Sequence, residues 1–391
     1  MNEVGPVNYV ARLLKEKEEL REKVKALLSD QESKYAIRDP HATRYPRLCG
    51  ITVHSGTGCP YQCRYCYIYT MGFSAALKPY LLTGLQLVYA LLSNRCFVPG
   101  KRGTYLAIGS VTEPFHPITK GKSFEYIEAL YKYLGNPVQF STKSSLSSSE
   151  AEKLAELSGG KISPLVTVVT LKAHRELEPY APPPERRLET LRNLRGAGLQ
   201  PFLFLRPIIP GITEREYEEI IDLAVEHGAV GVVAGSLRIT RDVFNNLKEI
   251  GLELGEVSKR LPIRLDKMRP RAQYSVYTGD IKVKIARYAR KRGLVFYPYA
   301  CMANLHAHGL TCVKMKVASR GEVEGIKGPD QAEVRALAKS LGTACRRAWF
   351  GQGTIFLEVD RPREEGICLL SEALKSLYLM CVKLIRAKQE Y

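Results

Sequence analysis

Gly56-Thr-Gly-Cys59-Pro-Tyr-Gln-Cys63-Arg-Tyr-Cys66-Tyr67 is the stretch on which the reading of this chain turns. Three cysteines fall within eight positions, spaced Cys-x3-Cys-x2-Cys, on a glycine-rich loop just after the apolar run Gly50-Ile-Thr-Val-His54. Three thiolates on one tight loop can ligate three irons of a [4Fe–4S] cluster and leave the fourth iron open. Glycines let the backbone wrap such a cluster without steric cost. Zinc is the other metal that cysteines suit, but it takes four ligands, commonly from two separated pairs.

Outward from this loop, apolar runs and amphipathic stretches alternate. Strands are predicted over 50–54, 104–109, 137–142, 165–170, 201–206 and 229–234. Helices are predicted over 81–93, 123–134, 149–157, 185–197 and 214–227, the third opened by a serine cap with acids in its first turn. Six βα-like units in about 190 residues argue for a parallel sheet covered by helices, which right-handed crossovers let curl into a barrel or part-barrel. The expected fold class is therefore α/β, a partial (β/α)6 barrel of the TIM type over residues 45–240. Before it, residues 1–44 carry an amphipathic helix over 8–29. After it, a basic α+β region over 241–391 holds a helix at 281–292, a strand at 294–299, a Cys/His-bearing loop and a closing helix from 369 to about 386. Active sites of this architecture form at the C-terminal strand ends, where the cysteine loop falls.

Composition narrows the class of protein. The chain has 391 residues, 45% hydrophobic and 25% charged, which excludes disorder as its main state. No stretch reaches the ~18 uncharged apolar residues of a membrane span, since the best candidate, Tyr80 to Leu92, holds Thr83 and Gln86. The N-terminus reads as a charged helix with no signal peptide, so a cytoplasmic location and no membrane partner are expected. In that setting the ten cysteines read as metal ligands, reactive thiols or buried apolar residues before disulfides.

The net charge of +18 is concentrated. Residues 259–320 hold fifteen Lys/Arg against Asp266 and Asp280, an excess of thirteen, interleaved with Tyr274, Tyr277, Tyr288, Phe296, Tyr297 and Tyr299. Cations for phosphates with rings for unstacked bases make the composition of a nucleic-acid surface, RNA or DNA. The alternative is a solvated basic face.

The cysteine motif resembles the signature of the radical S-adenosylmethionine (SAM) superfamily, Cys-x3-Cys-x-aromatic-Cys, with Tyr65 as the aromatic. The resemblance implies a partial TIM-type barrel with a [4Fe–4S] cluster on Cys59, Cys63 and Cys66. The open iron then chelates SAM, and one-electron reduction, by a donor such as ferredoxin or flavodoxin, yields methionine and a 5′-deoxyadenosyl radical. Further motifs are similar to the spore photoproduct lyase-like branch: Gly109-Ser-Val-Thr112-Glu113-Pro, Ser141-Thr-Lys143-Ser144, Leu177-Glu178-Pro179 through Arg186, and Pro207-Ile-Ile-Pro210-Gly211. They imply Lys143 as the cation facing the SAM carboxylate. Ser110, Thr112, Glu113 and Ser144 become further cofactor-binding residues, and Tyr65 and Tyr67 catalytic residues that relay a hydrogen atom. The lyases carry a hydrogen-donating cysteine at the position of Gly109 or Ser110, where this chain has none. Quenching by Tyr65/Tyr67 or by a cysteine such as Cys301 is expected instead.

A second constellation, Cys301-x4-His306-x-His308-x3-Cys312, offers four ligands for zinc or, with Cys345 or Cys368, for an auxiliary Fe–S cluster. Two buried thiols with ordinary histidines are the other reading. The expected function is a radical SAM enzyme acting on a nucleic-acid base, in repair or modification. The alternatives are a protein side chain or small metabolite as substrate, or a nucleic-acid-binding protein with a structural metal.

Overall fold

A computed structural model describes residues 5–47, 50–320 and 328–387, with the side chains of residues 318–320 left out. Cys49 and the Arg320 side chain, both counted above, lie outside the described part. Seven parallel strands form the central sheet, in chain order across it: Ile51–Val53, Leu106–Ile108, Val138–Thr142, Ser163–Thr167, Phe202–Ile208, Gly231–Ser236 and Val295–Tyr297. The six strands expected from the sequence are all present. The seventh comes from beyond residue 240, and Val295, Phe296 and Tyr297 register with Gly231, Val232 and Val233. The sheet is thus one strand wider than the pattern implied.

The strands read as near-continuous apolar runs because helices cover them. Phe202–Ile208 is buried along all but Arg206. Two covering helices, Gly84–Ser93 and Ser148–Leu157, begin with capping boxes: Thr83 with Gln86, and Ser147 with Glu150. Each box satisfies two backbone donors at the helix start. The basic helix, Gly279–Lys291, buries Ile281, Ile285 and Ala289 in the same core.

The C-terminal part departs from expectation in two places. The Cys/His segment is a helix, Ala300–Ala307, not a loop. The closing helix stops at Tyr378, where Leu379 adopts a left-handed φ of 49°, and Cys381–Arg386 runs on as a strand. That strand pairs in parallel with Thr354–Val359, which pairs antiparallel with Arg347–Gly351. This small sheet has its own core, including Leu357, Val359, Leu370 and Val382. The N-terminal helix, Pro6–Lys25, contributes Val10 to it, and a separate helix follows at Asp30–Ile37. Among the described residues no helix is long and apolar enough to cross a membrane.

The first sheet strand leads into His54, which is buried against His41 with ring centroids 5.5 Å apart. Arg44 donates to His54 Nε2 at 2.6 Å, and His54 N–H donates to His41 Nε2 at 3.2 Å. Asp39 Oδ1 lies 2.6 Å from His41 Nδ1, so His41 is a neutral ring donating from Nδ1. Burial, then the charge of Arg44, holds His54 down at about 3. The folded state therefore keeps this ring neutral while the unfolded chain binds a proton near 6.5. Stability is complete above that value and falls with pH below it. Lowering pH from 7.5 to 5 is expected to remove about 2 kcal/mol through His54 alone. Urea unfolding at the two pH values checks this, with His54→Gln as reference; an equal pH dependence in both proteins sinks the assignment.

Candidate active site

The three cysteines sit where the C-terminal ends of the first strands open. Gly58 has φ +83°, and a Cβ there would lie 2.3 Å from the Ala76 carbonyl oxygen, so only glycine lets the loop press against the strap beyond it. Gln62, between the first two cysteines, is itself left-handed with φ 46°. The result is a tight turn with all three sulfur-bearing residues on one chamber of about 90 Å³, also lined by Thr112 and Lys143. Burial pushes the Cys63 thiol up to about 12 and Cys59 to about 11. Thiols so raised keep their protons unless a metal displaces them.

This donor set fits a cluster. Among the described residues no three His, Cys, Asp or Glu side chains converge as one metal ion demands. A cluster offers each sulfur a separate iron, so the thiols need share only a chamber. Thr112 Oγ1 is buried beside them without a hydrogen-bond partner, a polar group left for a ligand.

Behind the loop is a buried ionic network. Glu178 and Arg187 are both fully inside, with Arg187 Nη1 2.5 Å from Glu178 Oε2. Arg187 Nε also donates to the Pro182 carbonyl at 2.6 Å. Tyr65 donates its hydroxyl to Glu178 Oε1, and Lys143 Nζ stands 4.0 Å from the same oxygen. Lys143 also lies over the Tyr65 ring, 5.5 Å from its centroid. Although burial lowers it, the negative charges of Cys63, when ionised, and of Glu178 leave Lys143 raised overall.

The other expected residues divide. Glu113 is buried, but its oxygens are taken: Oε1 accepts from Thr142 Oγ1 at 2.5 Å and Oε2 from Lys143 N–H at 2.9 Å. It shapes the turn that aims Lys143 instead of presenting a free carboxylate. Ser144 is also committed inside the protein, its hydroxyl 2.8 Å from that of Tyr61. Ser110 and Lys143 line both the small chamber and a larger one of about 380 Å³ in the barrel lumen, and Tyr65 and Tyr67 line the larger.

The second constellation does not assemble. His306 Nδ1 pairs with the Tyr297 hydroxyl at 2.9 Å, while His308 Nε2 accepts from Val138 N–H at 3.3 Å and its Nδ1 lies 2.7 Å from the Asn304 carbonyl. Helical geometry sends these rings to different partners. Burial pushes the Cys312 thiol up.

Several cations of the basic segment are also paired. Lys284 reaches Glu214 at 3.1 Å, Arg292 reaches Asp222 at 2.7 Å and Arg260 reaches Asp280 at 2.7 Å. Tyr288 is bound to Asp222, while Tyr277 and Tyr299 remain exposed. Residues 237–276 pack on the cysteine loop through Leu237, Val257, Met268 and Val276, so this part of the segment frames the site.

Residues 53–224 match the sequence profile of the family described as the radical SAM superfamily. That segment of the chain is similar to the superfamily. Two curated relatives are uncharacterized proteins. One, from Methanocaldococcus jannaschii, is 26% identical over 167 residues, 41% of this chain and 61% of that protein. The other, from Mycobacterium tuberculosis strain H37Rv, is 25% identical over 203 residues, 48% and 58%. The chain thus spans about three fifths of the curated relatives it matches. Among solved structures, a mutant spore photoproduct lyase superposes with TM-score 0.51 at 18% identity, covering 63% of this chain and 75% of that one. The lyase complexed with dinucleoside spore photoproduct gives 0.50 at 18%, covering 62% and 74%. Over that part the chain shares the fold of the lyase.

Proposed function

We propose that this protein is a radical SAM enzyme whose substrate is a nucleic-acid base. One observation carries the reading: the three-thiol chamber and the barrel lumen meet at Lys143, Ser110 and Cys66, which line both. Cys59, Cys63 and Cys66 would hold a [4Fe–4S] cluster, which would supply the electron for reductive cleavage of SAM. The chain's own residues bind and orient. The Lys143 ammonium meets the SAM carboxylate, and the unpartnered Thr112 hydroxyl bonds the same ligand. Tyr65, locked by Glu178, fixes Lys143 from below. Tyr67, on the lumen wall, gives the product radical a hydrogen atom, and the tyrosyl radical left behind is returned to tyrosine by one electron from the external donor and a proton. Gly109 or Ser110 stands where the lyase resemblance places a donor thiol.

The nucleic-acid assignment is supported by the basic segment framing the site, with Tyr277 and Tyr299 exposed on it. A structure of this fold also holds a dinucleoside photoproduct. The same basic face suits an acidic electron-donor protein. Anaerobic reconstitution tests the proposal. About four irons per chain and 5′-deoxyadenosine after dithionite are expected. RNA or DNA binding should weaken steeply with salt. Zinc in place of iron would overturn the enzyme reading, and salt-insensitive binding the nucleic-acid one. Cys301→Ala/Cys312→Ala should leave the iron count unchanged; a fall would restore the auxiliary site.

A further inference from the structure

The lumen chamber has a composition that radical formation does not require. Among the described residues its lining holds four cations, Arg47, Lys143, Arg206 and Arg238, and no carboxylate. Lys143 is accounted for by Glu178 and Tyr65. The three arginines are not. Arg206 is half-buried near the end of the fifth sheet strand, its stem laid across Gly235 of the sixth. A Cβ at Gly235 would meet Arg206 Cδ at 2.7 Å and Cγ at 2.8 Å, so the glycine makes room for this side chain. The guanidinium sits over Phe204, 5.9 Å from the ring centroid. Arg47 and Arg238 are exposed at the rim. Gathering like charges without an acid among them costs repulsion, which an anion seated between them relieves.

Deeper in the same chamber is Gln139, on the third strand. It is 6% exposed, and its Oε1 has no hydrogen-bond partner. A buried amide acceptor without a partner is costly unless a ligand satisfies it. A carboxamide offers an acceptor and donors side by side, the complement of a nucleobase edge. The chamber thus presents forked cations at its mouth and a base-pairing group inside, in a volume of about 380 Å³, within the range of small-ligand sites.

We infer that the lumen takes one nucleotide unit, its base edge against Gln139 and its phosphate on Arg47, Arg206 and Arg238. This rests on the nucleic-acid reading above and deepens it, since the base must be unstacked to enter. The test uses the reconstituted, SAM-loaded protein with the four ribonucleoside monophosphates, their nucleosides and ribose 5-phosphate as probes, read by calorimetry. Monophosphates are expected to bind on the order of tenfold or more tighter than nucleosides. Arg206→Ala and Arg238→Ala should each erase most of that difference, and Arg206→Lys should keep part of it. Gln139→Leu should abolish discrimination among the four bases and leave ribose 5-phosphate affinity unchanged. Iron content reports whether each variant folds; Arg238, exposed at the rim, supplies a variant that does not disturb the core. Equal affinity for nucleosides and monophosphates, or wild-type binding by both arginine variants, overturns the inference. So does an acidic peptide that binds the chamber where nucleotides do not. Failure to cleave SAM would strike the enzyme reading separately, because this experiment reads binding alone.

Discussion

Cys63→Ala is expected to abolish iron loading and 5′-deoxyadenosine formation together. Cys63 is the middle cysteine of the loop and is 7% exposed. Its loss leaves Cys59 and Cys66, two thiols for a cluster that takes three from this motif. Among the described residues no other cysteine lines either chamber. Cys96 is buried just after the helix Gly84–Ser93 and lines neither chamber. Mutating groups that merely orient ligands costs ~10–100-fold in metal affinity, and removing a ligand should cost more. Iron should fall from about four per chain to trace levels and product to background. The control is Cys345→Ala, in the separate core of the small sheet, which should keep its iron. Retained iron in Cys63→Ala, or its loss in Cys345→Ala, would show that the cluster is held elsewhere.

The cysteine loop and the six βα units were legible because their signals are local. A strand buried on both faces is an unbroken apolar run, and Leu165-Val-Thr-Val-Val and Phe202-Leu-Phe-Leu state this within five residues. The seventh strand was visible as a strand but not as a member of the sheet. About sixty residues separate it from the sixth, and pairing over that distance leaves no periodic trace. The end of the chain misled for a different reason. Met380-Cys-Val-Lys-Leu-Ile-Arg386 suits either a helix face or an alternating strand, and only the left-handed turn at Leu379 decides between them.

In the site, what was missed is what depends on long-range burial. Glu178 stood in a lyase-like motif, but its buried pairing with Arg187, a charged residue in a polar stretch, left no local sign. Gln139 looked like one polar residue in a strand, and its missing partner exists only in three dimensions. The Cys/His spacing erred in the other direction. His306 and His308 are two apart on a helix, so their rings diverge to Tyr297 and to Val138.

The buried network gives the second large effect, this time on stability. Arg187 is 0% and Glu178 1% exposed, and Arg187 Nη2 has no partner of its own. Arg187→Met removes the cation 2.5 Å from the carboxylate and leaves Glu178 with only Tyr65 and the more distant Lys143. Removing one member of a buried pair costs about 3–5 kcal/mol, because the other charge stays in a low-dielectric interior. That is a large share of the ~5–15 kcal/mol that holds a domain folded, and Tm should fall by roughly 5–15 °C. Glu178→Gln should destabilise comparably, since it strands Arg187 instead. The decisive protein is the double variant Glu178→Gln/Arg187→Met, in which no unpaired charge remains. Its loss should be no greater than that of the worse single variant, a coupling of at least about 2 kcal/mol. Strictly additive losses would mean that the two side chains stabilise the domain by packing alone. In that case Tyr65 and Lys143 would keep their positions without the ionic pair beneath them.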